Sequence, residues 1–271
     1  MAITDMDMDM DTTMVMDMDM TTTTTITQTA TTMSLTTPMT TPTVADAGWL
    51  PLLWLASPAL PVGGFSYSEG LEAAVDAGLV HDESSAADWL VDQLHLVLAR
   101  GELAVVAQAV PAWRADDHAR LHALNDWVWQ TRETHELRLQ CEQMGHSLQA
   151  WARSLGPAGV AVQARLDGAA LQPPSWPLAW AAAAATSEAD PTRCSATYAF
   201  AWAENLVQAA LKAVPLGQGA GQRTLARLLP EIPLAVSAAL ALGDDERQAF
   251  APGLAILSAR QETQYSRLFR S

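Results

Sequence analysis

Between Leu137 and Leu155, apolar side chains recur at Leu137, Cys141, Met144, Leu148, Trp151 and Leu155. This 4-3-4-3-4 spacing puts one stripe along a helix and is incompatible with the alternation a strand needs. No period-two run longer than about four residues competes with it elsewhere. Ala and Leu dominate, and β-branched residues are sparse after the first 45 positions, a bias towards helix over sheet. The chain is therefore expected to be all-α, one globular domain of about nine to ten helices over residues 48–271.

Punctuation divides that domain. Leu50–Leu55 is apolar, and the prolines and glycines of Ser57–Phe65 then force an ordered but non-helical connection. Ser66 or Ser68 offers an N-cap for a short helix stopped by Gly78. Asp82 or Ser84 caps a second helix running to about Arg100, and Glu102–Trp113 forms a third with Pro111 near its end. A fourth begins at Asp116 or Asp117 and buries Leu121, Leu124 and Val128, and the Leu137–Leu155 helix is the fifth. Gly156-Pro157 ends that stripe, and a loop is expected up to Pro177. An Ala-rich helix follows, apolar almost all round and hence central. Asp190 or Thr192 caps a long helix burying Ala199, Trp202, Leu206, Ala209 and Ala213. Gly217–Leu229, Glu231–Leu242 and Gly253–Thr263 supply the last helices.

Residues 1–47 differ in kind. Met alternates with Asp from Met6 to Met20, Thr dominates from Thr21 to Thr43, and only Met144 among the eleven Met lies in the body. Such a segment has too little apolar surface to offset its ordering entropy and is expected to be a disordered, dispensable tail. Seven Asp, with no basic residue, lie before Gly48, and the formal charge of the whole chain is −15. That balance argues against nucleic acid or an anionic membrane as main partner. No stretch reaches the roughly 18 apolar residues of a membrane span, and no basic-then-apolar leader is visible, so a cytoplasmic protein is expected.

The search for chemistry returns little. Cys141 and Cys194 are far apart, and Cys141 lies inside the apolar stripe, which reads as a buried structural thiol. His118 and His122 stand at i, i+4, a spacing that can clasp a metal, but no third ligand joins them at a diagnostic distance; exposed helix histidines is the plainer reading. Gly217-Gln218-Gly219-Ala220-Gly221 has the glycines of a phosphate loop but follows a helix and carries no lysine after it. No nucleophile elbow or paired carboxylates emerge, so no catalytic residue, metal ligand or cofactor is assigned. Ten Trp and an Arg-dominated set of cations suit core packing and protein interfaces.

Four ordered segments carry a resemblance. Leu55–Glu72, reading LASPALPVGGFSYSEGLE, closely resembles the N-terminal signature of the UreF family of urease accessory proteins. Arg132–Arg138 with Gln143–Gly145, Val214–Arg223, and Ser266–Ser271 agree with it in order and spacing, covering the chain from about Trp49 onward. The resemblance implies an all-α, typically dimeric scaffold, itself not an enzyme and binding no nucleotide. It implies partners UreD (also called UreH), the GTPase UreG and apo-urease, into which their complex loads nickel with GTP hydrolysis on UreG. Carried over residue by residue, Phe65, Ser66, Tyr67, Ser68, Arg267, Leu268 and Phe269 look like the UreD side. Lys212, Gly217, Gln218, Gln222 and Arg223 look like the UreG side. Lys212 and Arg223 flanking a glycine-rich turn would make a compact positive patch on an acidic body, and Arg267 is expected at a tail with little core to serve. A competing reading makes the chain a direct nickel metallochaperone, with His118, His122 and the Asp-rich segment holding the metal; a helical enzyme without cofactor stands third.

Overall fold

The computed structural model describes residues 48–270 and contains, among them, twelve α-helices and no strand. In chain order these are α1 (Leu50–Leu55), α2 (Leu71–Asp76), α3 (Glu83–Gln93), α4 (Glu102–Arg114), α5 (His118–Thr131) and α6 (His135–Ser154). There follow α7 (Val160–Ala169), α8 (Trp176–Ala184), α9 (Pro191–Ala213), α10 (Gln218–Leu228), α11 (Glu231–Ala241) and α12 (Pro252–Glu262). The expected tail over residues 1–47 lies outside the described residues. No single described helix is long and apolar enough to cross a membrane.

The short, apolar α8 lies at the centre, every residue from Pro177 to Ala184 buried. α4 and α6 pack against it, and α9 and α5 lie along α4. Trp180 meets Tyr198 of α9 edge-on, with centroids 5.0 Å apart, and Trp113 of α4 donates its indole N–H to the Leu178 carbonyl at 3.0 Å. Trp113 thus satisfies its one polar atom as a dry core requires, whereas the buried Trp180 indole N–H has no hydrogen-bond partner among the described residues. Around this centre α10 packs on α3 and α9, α11 on α9 and α4, and α12 on α2 and α6.

Local signals place most boundaries. Asp82, Asp117, Thr134 and Asp190 each accept a backbone N–H three residues on, capping α3, α5, α6 and α9. The α6 stripe is inward as its spacing requires, with Leu148 fully buried and Leu137 and Leu155 at its half-buried ends. Past α3 the helix continues as a π turn over Leu94–Leu98. The stretch expected as a loop after Gly156 instead holds α7. Its inward residues Val162, Leu166 and Ala169 follow helical spacing, but Val160 is 60% exposed, which blurs the period. Gly70, and not Ser66 or Ser68, takes the N-cap position of α2, although Ser68 Oγ accepts the Glu72 N–H at 3.4 Å. The chain enters that helix through Glu69 and Gly70, both at positive φ, and a Cβ on Gly70 would come within 2.8 Å of Leu254 Cδ1. Gly70 is thus fixed by backbone conformation and by the close approach of α12.

Candidate partner-binding surface

The signature loop between α1 and α2 turns the Phe65 ring outward and buries Leu60, Val62, Tyr67 and Ser68. Gly63, at φ +76°, starts a 3-10 turn over Gly64–Ser66 that lifts Phe65 to 63% exposure. Asn205 of α9 fastens the turn by donating to the Gly64 carbonyl at 3.0 Å. Tyr67 and Ser68, expected to face a partner, are buried, as is Phe269 of the C-terminal segment. These three act on the surface from below. Tyr67 donates its hydroxyl to Gln143 of α6, which also receives Arg270 at 3.2 Å. Burial pushes the Tyr67 hydroxyl above its ordinary pKa, with Arg270 working in the opposite direction.

The C-terminal segment serves the core more than its terminal position suggests. Phe269 enters the hydrophobic core, and the backbone N–H groups of Leu268 and Phe269 donate to the buried Glu72 carboxylate at 2.7 and 3.0 Å. Arg267, expected to be free for a partner, pairs with the buried Glu136 of α6 at 2.8 Å. The Arg270 N–H closes onto the Ser66 carbonyl at 2.7 Å, so the segment is hydrogen-bonded to the signature loop itself. Leu268, 67% exposed, is its outward apolar residue.

Lys212 stands where these two pieces meet. It lies exposed in the last turn of α9, with its ammonium 5.7 Å from the ring centroids of both Phe65 and Phe269. Rings present a negative face to a cation, so Lys212 bridges loop and tail. Lys212, expected to meet one partner, is thus joined to Phe65 and Phe269, expected to meet another. Arg223 forks onto Glu83 of α3 at 2.8 and 2.6 Å, so its charge is already paired within the chain. The glycine-rich stretch is the start of α10 and not a tight turn: Gly217 is extended, and a Cβ on Gly221 would sit 2.7 Å from Leu211 Cδ1 of α9. Gly221 sets how closely α10 lies on α9. Gln218 and Gln222 are exposed on α10.

Beneath the loop lies a polar cluster that spacing alone does not reveal. Glu69 accepts Gln140 Nε2 at 2.8 Å and Trp202 Nε1 at 2.9 Å. Glu102 accepts the Tyr198 hydroxyl at 2.7 Å and pairs with Arg132 at 3.0 Å. These residues come from the loop, α4, α6, α9 and the α5–α6 link, and they line a cavity of about 120 Å³ beneath Phe65 and a smaller one of about 60 Å³ on the α12 side. Burial raises the Glu69 pKa, the Glu102 charge raises it further, and the two donors oppose the shift. The Arg132 guanidinium is held firmly charged by Glu102 although burial works against it. Burial likewise pushes the Cys141 thiol up to about 11, which leaves it un-ionised and inert as a nucleophile.

His118 and His122 are both exposed on α5. Among the described residues, no three or more His, Cys, Asp or Glu side chains converge in a metal-holding group.

Comparison with known proteins gives a consistent result. The UreF family model matches residues 80–229. Urease accessory protein UreF of Polaromonas sp. is 61% identical over 225 residues, 83% of this chain and 95% of that protein. The UreF of Methylibium petroleiphilum is 64% identical over 223 residues, 82% of this chain and 93% of its own length. A bifunctional urease accessory protein UreEF of Bordetella bronchiseptica is 48% identical over 240 residues, 87% of this chain and 55% of that protein.

Proposed function

From the premise that the chain belongs to the UreF family, and is thus a non-catalytic accessory protein of urease maturation, we propose that it bridges UreD and the GTPase UreG while nickel is delivered to apo-urease. The observation that carries this reading is the Phe65–Lys212–Phe269 junction. Two sequence-remote signatures of the family are held together there, with Phe65 and Leu268 exposed above a rigid, hydrogen-bonded base. Exposed aromatic and aliphatic anchors on an ordered base are what a protein partner can bury with little loss of conformational freedom. In this reading UreD covers Phe65 and Leu268. UreG reads the adjoining end of α9 and the start of α10, through Lys212, Gln218 and Gln222. The protein's own part is to hold both partners in one geometry and set the rate of GTP turnover on UreG, in the cytoplasm and as a homodimer.

Co-purification of the chain with UreD and UreG, sized by light scattering, tests the assembly. GTP hydrolysis by UreG, measured alone and in the complex, tests the regulation. A ternary complex with altered turnover supports the reading; failure to retain either partner at micromolar concentration sinks it.

A further inference from the structure

Glu72 is a carboxylate with an unusual set of neighbours. It lies in the first turn of α2, 4% exposed, and three amide N–H groups converge on it: the backbone of Leu268 and of Phe269, and the side chain of Gln261 at 3.1 Å. All three donors are uncharged, and all three come from α12 or the segment that follows it. A buried carboxylate that accepts several N–H bonds makes short, strong, directional contacts, and no other common side chain offers two acceptor atoms with no donor. The two backbone bonds also fix successive residues, so they set both the path of the segment and which side chain turns outward. Leu268 faces solvent and Phe269 enters the core directly from that grip.

We propose that Glu72 is the positioning residue that latches the C-terminal segment, and that by seating Phe269 beneath Lys212 it presents Phe65 and Leu268 as one surface to the partner. The proposal rests on the partner reading above for its second half only; the latch itself is a property of the chain alone. α2 is bound to the loop as well, since the Glu72 N–H donates to Ser68 Oγ at 3.4 Å. The segment Phe65–Glu72 therefore carries the exposed anchor at one end and the latch at the other. Arg267–Glu136 and Arg270–Ser66 flank the grip and hold the segment's course on either side of it.

Glu72→Gln tests this, because it keeps size and shape but replaces one acceptor oxygen with an amide that faces a backbone donor. In the full chain, hydrogen exchange at the Leu268 and Phe269 amides should quicken by roughly tenfold or more, while protection in α8 stays unchanged. Capture of UreD should weaken in parallel. Glu72→Asp, which keeps the charge but retracts it by one methylene, should give a smaller change of the same kind and serves if the Gln variant fails to fold. Unchanged exchange at both amides in a folded Glu72→Gln protein overturns the latch. Faster exchange with undiminished UreD capture supports the latch and removes the partner surface from it.

Discussion

Replacing Lys212 separates what an exposed cation does from what this one does. Read from sequence, Lys212 is a solvent-exposed residue whose loss should cost within about 0.5 kcal/mol. Its surroundings raise that figure. The ammonium lies 5.7 Å from two ring centroids, near the outer limit of a cation–π contact, so each contributes about 0.5 kcal/mol, at the low end of the exposed range. A cation in the last turn of α9 adds about 0.3–1 kcal/mol against the helix dipole. Together these give about 1–2 kcal/mol. Lys212→Met keeps the apolar stem and removes the charge, and should lower the urea-extrapolated unfolding free energy by that amount; Lys212→Arg should retain it, since a guanidinium stacks on rings at least as well. Equal stability of Lys212→Met and the parent protein, within about 0.3 kcal/mol, would refute the bridge and leave Lys212 as a surface charge.

Three further expectations concern the interior. Glu102→Ala leaves the Arg132 guanidinium, with side chains only 20% and 14% exposed for the pair, without its counter-charge, and should cost about 3–5 kcal/mol in denaturant unfolding. Glu69 has a folded pKa raised above its unfolded value, so its charged form is the disfavoured one. Its penalty is absent below the ordinary glutamate range and grows as pH rises through that range towards the folded pKa. Urea midpoints of Glu69→Gln and the parent protein should therefore converge at low pH, and the variant should gain relative stability as pH rises; a pH-independent difference would show that Glu69 does not titrate in this way. Leu148→Ala, in the buried α6 stripe, should cost about 2–5 kcal/mol, against about 0.5 or less for the neighbouring, partly exposed Gln149, both read by thermal melting.

Helices with one clean stripe and a side-chain cap are legible without coordinates. α6 has five apolar residues in register behind Thr134 and a sixth, Leu155, at its C-cap, and α9 starts on Asp190 and ends before Pro215. α7 escapes because Val160 and Val162 point to opposite environments, so composition is apolar while period is lost. The site is legible only in part, for a different reason. Phe65, Lys212 and the Arg267–Phe269 segment are marked by family resemblance, but nothing local says that they touch. Glu72 grips the backbone of Leu268 from 196 positions away, and Glu69, Glu102 and Arg132 each look like an ordinary helix-surface charge until α4, α6 and α9 are packed. Arg223, close to Lys212 in sequence, pairs with Glu83 of α3, and nothing local marks that partner either.

Contact of Lys212 with both Phe65 and Phe269 has a thermodynamic consequence for the proposed bridge. If UreD and UreG met separate, rigid faces, each would bind as though the other were absent. Phe65 and Phe269 share one cation, and Phe269 belongs to a segment tied by backbone bonds to α2 and to the loop. A partner that shifts this segment as it covers Leu268 therefore changes the setting of Lys212 for the other. Linkage then requires that UreD raise the affinity for UreG by the same factor by which UreG raises the affinity for UreD, typically about 5–150-fold when such coupling exists. Titrating each partner into the chain with and without the other saturating measures both factors. Lys212→Met should reduce the two together, by up to about tenfold if the junction carries about 1.4 kcal/mol of the coupling. Unequal loss at equilibrium is forbidden by the cycle, so the informative failure is an unchanged pair of factors in Lys212→Met. That result would return the two partners to independent surfaces and leave the aromatic bridge a matter of stability alone.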